Sequence, residues 1–218
     1  MDTNMLRSAL WVFLRPLVQL ISNLVNPEIG DEWLLELKKF LRKEPCWTVV
    51  SKPALRWHEL NGVIYFSVTS DGTTGEEWIT RHESKGSRVS DYAKQLLRSS
   101  DFKPTIGVTT EVAVLKGMLF EDNDRTTKTI RAKAIKLNLS KPNAELACLI
   151  REKFTDEEIK QMGLWHIIAM HEPINDFDGY PHLLGASRYD VGRWLDACYV
   201  KPDCRWNRGS GFAFCLAS

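Results

Sequence analysis

Residues His182–Ser218 read HLLGASRYDVGRWLDACYVKPDCRWNRGSGFAFCLAS, and the fold turns on how they alternate. In Arg193–Val200 the two-residue period of a strand puts Leu195, Ala197 and Tyr199 on one face. Trp194, Asp196, Cys198 and Val200 fall on the other. Phe212, Phe214 and Leu216 share a face in the same way. Between these runs, Lys201–Ser210 carries turn formers (Pro202, Asp203, Asn207, Gly209, Ser210) and one large ring, Trp206. The pattern predicts two strands that support an irregular loop.

Upstream, Asn61-Gly62 predicts a hairpin between Trp57–Leu60 and Val63–Val68, because both turn residues tolerate positive φ. Thr74 with Glu77, and Thr155 with Glu158, are capping boxes for helices stopped by Gly86 and Gly163. Ser90 starts a short helix over Tyr92, Ala93, Leu96 and Leu97, and Asp31 starts one that carries Trp33, Leu34, Leu37, Phe40 and Leu41. Trp47–Val50 reads as a strand. The middle reads as helical, with Asp122 or Asp124 capping a helix through Leu137 and Pro142 opening one over 143–153. Leu164–Met170 returns to a strand pattern. The expected class is α+β, with helical N-terminal and middle parts and a C-terminal antiparallel sheet. The expected division is a helical segment 1–45 and a body 46–218, which ends in a display region over about 164–218.

The chain has 218 residues, 44% of them hydrophobic and 26% charged, so it can bury a core and is not disordered throughout. Twenty-nine basic and 28 acidic residues leave a net charge of +1, which recruits neither nucleic acid nor an anionic membrane by itself. Five cysteines without tight pairs suit a reducing compartment, and the expected location is cytoplasmic. Met5–Val25 is strongly apolar but is interrupted by Arg15 and Pro16. Burying Arg15 in a spanning helix would cost roughly 2.5–3.5 kcal/mol. The stretch is therefore expected to pack on the body or a partner, with membrane-surface contact as the alternative.

Asp176-Phe177-Asp178-Gly179 resembles part of a calcium loop, but the twelfth position from Asp176 is Ser187 rather than Glu, and a polar turn is the simpler reading. His166 and His171 have no tight cysteine pair to complete a zinc site, so neither metal nor cofactor is expected. Cys148 lies among apolar neighbours, as a buried thiol would. Arg125, Lys128, Arg131, Lys133 and Lys136 crowd one predicted helix, and a nucleic-acid or regulatory partner on 124–137 is the alternative function. No Walker loop, G-x-S-x-G, HExxH or paired-carboxylate signature occurs, and no enzymatic activity is expected.

Leu184-Gly185-Ala186-Ser187-Arg188, Trp194-Leu195-Asp196-Ala197 and Gly211-Phe212-Ala213-Phe214 together resemble the closing segment of a C-type-lectin fold of the formylglycine-generating-enzyme subtype. More narrowly, residues 164–218 are similar to the variable proteins of diversity-generating retroelements. In that family, adenine-directed mutagenesis rewrites C-terminal codons, and the fold displays the changed side chains to a protein or other macromolecular ligand. Asn-type codons rewritten in this way yield Asp, Ser, Gly, Tyr, Cys, Val, His, Asn and a few others, never Lys, Trp, Met, Glu or Gln. Tyr189, Asp190, Val191, Asp196, Cys198, Val200, Asp203, Cys204, Asn207, Gly209 and Ser210 all belong to that set. Trp194, on the same strand face, completes the expected binding surface. Glu172-Pro173 is followed by Ile174 and Trp206-Asn207 by Arg208, so calcium-mediated sugar binding is not implied. Cys198 and Cys204 do not reproduce the enzyme's cysteine pair in register, so neither is its oxidase chemistry.

Overall fold

The computed structural model describes residues 17–44 and 55–217, and the chain divides into two compact units, Met1–Leu55 and Arg56–Ser218. The expected boundary after residue 45, the strand reading of Trp47–Val50 and residues 5–16 of the apolar stretch lie outside the described residues. Residues 17–24 are helical, and no described helix is long and apolar enough to cross a membrane. Helix α1 (Gly30–Leu41) follows. Its N-cap is Ile29, and Asp31 sits instead in the first turn, where its charge favours the positive end of the helix dipole.

The larger unit is an α+β fold on one ten-stranded mixed sheet. Its first strands are β1 (His58–Leu60), β2 (Val63–Asp71), β3 (Arg88–Val89), β4 (Ile106–Lys116) and β5 (Leu139–Ser140). Then come β6 (His166–Ala169), β7 (Ile174–Asn175), β8 (Pro181–Tyr189), β9 (Gly192–Tyr199) and β10 (Ser210–Leu216). They run in the order β1-β2-β4-β10-β6-β8-β9-β3, with β5 on β10 and β7 on β8. The expectation of an antiparallel sheet confined to the C-terminal region is corrected on two counts. Strand β10 lies parallel to β6 and β3 parallel to β9, and β1, β2 and β4 share the sheet with the C-terminal strands.

The β1–β2 hairpin turns through Asn61 and Gly62 at φ of 52° and 76°, the left-handed region their sequence predicts. Both capping boxes form, on α2 (Gly75–Ser84) and α6 (Asp156–Gln161). Ser90 caps α3 (Asp91–Arg98) by accepting from the Ala93 N–H. Helix α4 (Thr127–Lys136) starts later than expected. Its cap is the Thr126 hydroxyl, not Asp122 or Asp124, whose neighbour Arg125 is drawn into the interior. Helix α5 (Glu145–Lys153) likewise starts two residues past the expected 143.

The sheet has two differently covered faces. On the first, Trp78 and Ile79 of α2, Leu96 of α3, Ala147 and Ile150 of α5 and Ile159 of α6 pack on Val112, Ile167, Leu184, Leu195 and Ala213. On the second, Ile130 and Ala134 of α4 pack on Leu115, Ile168, Leu183, Phe212 and Phe214. Each fully buried Leu, Ile or Phe contributes about 1.5–3 kcal/mol of transfer free energy. Helix α4 covers only part of the second face, and the strand residues beyond it form the site described next.

Candidate ligand-binding face

Strands β8 and β9 form a tight hairpin: Arg188 pairs with Arg193 and Tyr189 with Gly192, leaving Asp190 and Val191 at the tip. Along β9, Leu195 is fully buried in the first-face core and Ala197 packs beside it. The residues between them, Trp194, Asp196 and Cys198, are half-buried on the second face. Tyr189, Asp190 and Val191 are exposed at the tip. The Tyr189 hydroxyl donates to Asp196 Oδ2 at 3.1 Å, and its ring meets that of Trp194 edge-on at 6.2 Å. Across from Trp194, the Arg88 guanidinium lies 5.4 Å from the indole centroid. The Trp194 Nε1–H is buried and has no acceptor among the described residues.

The register aligns a polar row across this end of the face: Ser210 opposite His166, His166 opposite Ser187, and Ser187 opposite Trp194. His166 Nε2 lies 2.8 Å from the Ser210 hydroxyl. Burial holds the imidazole down at about 4, partly opposed by the charge of Asp196, so the ring is neutral at pH 7. Burial and the same carboxylate push the Cys198 thiol up to about 12. That sulfur therefore presents a protonated, weakly polar surface rather than a nucleophile.

The 201–209 loop is held against the start of α4. Thr127 N–H donates to Cys204 O at 3.2 Å, Lys128 N–H to Pro202 O at 2.9 Å, and Trp206 N–H to Arg125 O at 2.9 Å. Trp206 Nε1–H reaches the Thr127 hydroxyl at 3.0 Å, and its ring packs edge-on against Phe212 at 5.8 Å. Buried Arg125 donates to Gly117 O, Phe120 O and Trp206 O, which fixes the loop from beneath. On this anchored backbone Asp203 and Asn207 are exposed and Cys204 is half-buried. The Cys204 sulfur accepts the Lys201 N–H at 3.1 Å.

Three expected surface residues are corrected. Val200 is 3% exposed: the alternation does carry it to the second face, but at this end of β9 that face is covered, and Val200 joins the core with Ile130 and Ala134 of α4. Ser210 is fully buried at the start of the central strand β10. Gly209 cannot vary freely: a Cβ there would stand 2.4 Å from Trp165 Cδ1, and its carbonyl accepts the Trp165 N–H at 2.8 Å. The remaining nine form two groups on the outer part of the sheet: Tyr189, Asp190, Val191, Trp194, Asp196 and Cys198 on the hairpin, and Asp203, Cys204 and Asn207 on the loop.

Two arginines carry this face; Arg188 stands in the segment that carries the resemblance, whereas Arg151 had no sequence reading. Fully buried Arg151 of α5 donates to Ser187 O at 3.0 Å and Phe154 O at 2.6 Å and pairs with Asp156 at 2.9 Å. Desolvation lowers its pKa to about 10, which leaves it cationic. Arg188 donates to Leu164 O at 2.9 Å and lies over the exposed Trp165 ring at 5.1 Å. The only sequence signal for Arg151 was its place on the apolar side of a helix. That Trp165 would sit beside Gly209 follows only from the parallel β6–β10 pairing.

The other chemistry considered is placed as follows. His171 Nδ1–H donates to Glu172 O at 2.5 Å and its Nε2 accepts the Leu184 N–H at 2.9 Å, which fixes a neutral tautomer. Cys148 is fully buried, and desolvation raises its thiol well above the usual range. Among the described residues, no group of three His, Cys, Asp or Glu side chains converges as a metal site would. The basic helix presents three exposed lysines, Lys128, Lys133 and Lys136, because Arg125 is buried and Arg131 is half-buried with a bond to His171 O. That is a smaller cationic surface than the five-residue reading of 124–137. The chain matches no family model, no curated protein and no solved structure.

Proposed function

We propose that this is a non-enzymatic ligand-binding protein, and that its β8–β9 hairpin and 201–209 loop display diversifiable side chains to a macromolecular ligand. On this reading it is a lectin-type target protein of a diversity-generating retroelement. The single observation that carries the reading is the segregation along β9 and its loop. Leu195 and Phe212 are buried, whereas Trp194, Asp196 and Cys198 open to the second face, and Asp203 and Asn207 to solvent. Further support comes from chain order. The three segments that carry the resemblance are three strands, two of them a hairpin, and the third returns to the middle of the sheet. The logic is that of an antibody paratope: a rigid frame with tolerant positions on top.

The test is a displayed library of the full chain, randomised at Tyr189, Asp190, Val191, Asp196, Cys198, Asp203, Cys204 and Asn207 and selected against unrelated proteins. Target-specific binders whose affinity vanishes on reversion of those positions are expected. A library that stays folded yet yields no binder would contradict the proposal. Its genetic counterpart is a near-identical repeat of the coding segment beside a reverse transcriptase gene.

A further inference from the structure

On the opposite side of the same hairpin, an open cavity of about 440 Å³ is lined by Tyr92, Asp176, Tyr180, His182, Ala197 and Tyr199. Its walls are aromatic. His182 stacks on Tyr92 with centroids 5.3 Å apart, Tyr199 meets His182 edge-on at 5.8 Å, and Tyr180 meets Tyr199 edge-on at 6.1 Å. All three tyrosines are partly exposed.

A buried carboxylate belongs to the same wall. The Asp176 side chain is 2% exposed, and its Oδ1 accepts the Asp178 N–H at 3.0 Å and the Tyr180 N–H at 2.8 Å. The second oxygen is differently placed. His182 Nδ1–H donates to Tyr180 O at 2.9 Å, so Asp176 Oδ2, 3.7 Å away, has no hydrogen-bond donor among the described residues. A carboxylate oxygen without a protein donor, on a residue that lines the cavity, favours a positively charged occupant.

The cavity is also held in shape. Asp176 N–H donates to Tyr180 O at 2.9 Å and closes the 176–180 turn, while Phe177 N–H donates to Gln95 Oε1 at 3.0 Å and ties that turn to α3, which carries Tyr92. The rim already attracts one cation, since Lys201 Nζ lies 5.4 Å from the Tyr199 centroid.

We propose that Tyr92, Tyr180, Tyr199 and His182, with Asp176 at their base, form an aromatic cage that binds a methylated ammonium group of a small molecule. Ring quadrupoles and a carboxylate whose second oxygen lacks a donor both favour a bulky, weakly hydrated cation over a neutral group of equal shape. An inorganic cation fits less well, since a single carboxylate offers too few oxygens to replace its hydration. The site is separate from the proposed display surface: Ala197 and Tyr199 alternate along β9 with Asp196 and Cys198 and lie on the other face. Failure of the cage therefore leaves the display proposal untouched.

The test is calorimetric titration of the full chain with choline and tetramethylammonium, against 3,3-dimethylbutan-1-ol, the neutral isostere of choline. Saturable one-to-one binding of both cations is expected, with the alcohol at least about tenfold weaker. Tyr180→Phe keeps the ring and should bind choline as the parent does. Tyr180→Ala and Asp176→Asn should each weaken choline by about 3- to 30-fold. The asparagine retains the Oδ1 acceptor of the turn, and an unchanged thermal melt shows that the variant is folded. If Asp176→Asn does not fold, Tyr199→Leu, at a partly exposed position, takes its place. No saturable binding, equal binding of the alcohol, or folded Tyr180→Ala and Asp176→Asn (or Tyr199→Leu) variants that bind as the parent does would each overturn the site.

Discussion

The two faces of the sheet are built from the same strands yet covered to different extents. Helices cover the first face around Leu184, Ala186 and Leu195, which have no solvent exposure, and it opens beside Ala197 and Tyr199. On the second face α4 and the 201–209 loop stop short, so alternate residues of β9 remain open. Around Leu195 and Asp196 one strand thus carries a tight packing constraint on one side and a looser one on the other. The difference teaches that tolerance to change is set by what lies over a position, not by its composition: Val200 and Asp203 suit the same codon set, but only one of them is on the surface.

The largest expected effect is on pH. Burial holds His82, His166 and His171 at about 4 in the folded chain, against an ordinary value of 6.5. The unfolded chain takes up protons between about pH 6.5 and 4 that the folded chain refuses, so stability present at neutral pH is lost as pH falls through that window. The loss is on the order of 3 kcal/mol per histidine. Urea unfolding at pH 7 and pH 4 spans that window, and equal midpoints would show that the three histidines are not sealed as described.

Next comes the inward side of β9. Leu195→Ala should destabilise by about 2–5 kcal/mol, because the surrounding helices cannot collapse into the space. Asp196→Ser, one residue away, should cost no more than about 1 kcal/mol: it loses the bond from Tyr189, while a serine hydroxyl can still accept from the Ala197 N–H that Asp196 Oδ1 now holds. Comparable losses at both sites would erase the distinction between the faces. A smaller effect should separate two neighbours in the loop. Gly209→Val must displace the Trp165 ring and should cost about 1–3 kcal/mol, whereas Asn207→Ala should stay within about 0.5 kcal/mol. Thermal melts of the two variants check this.

Sequence made the local devices legible. Asn61-Gly62 marked a hairpin, Thr74 and Thr155 marked capped helices, and the alternation in 193–200 and 211–216 marked β9 and β10, because each signal is complete within a few residues. Strand β4 escaped. It is exposed along most of Ile106–Glu111 and buried throughout Val112–Lys116, where it is central and covered on both faces, so no single period runs through it. The parallel pairing of β10 with β6 also left no local trace, and with it went the burial of Ser210 and the contact of Trp165 with Gly209. The cage escaped for the same reason, since Tyr92, Asp176 and Tyr199 come from three distant segments.

The most direct test of the two-faced hairpin is a scan of every substitution from His182 to Ala217, sorted for protease-resistant folded protein. The account predicts broad tolerance at Asp190, Val191, Asp196, Asp203 and Asn207, and depletion at Leu195, Val200, Gly209, Ser210 and Phe212. Uniform depletion along the segment, or tolerance at Leu195 and Phe212, would contradict it.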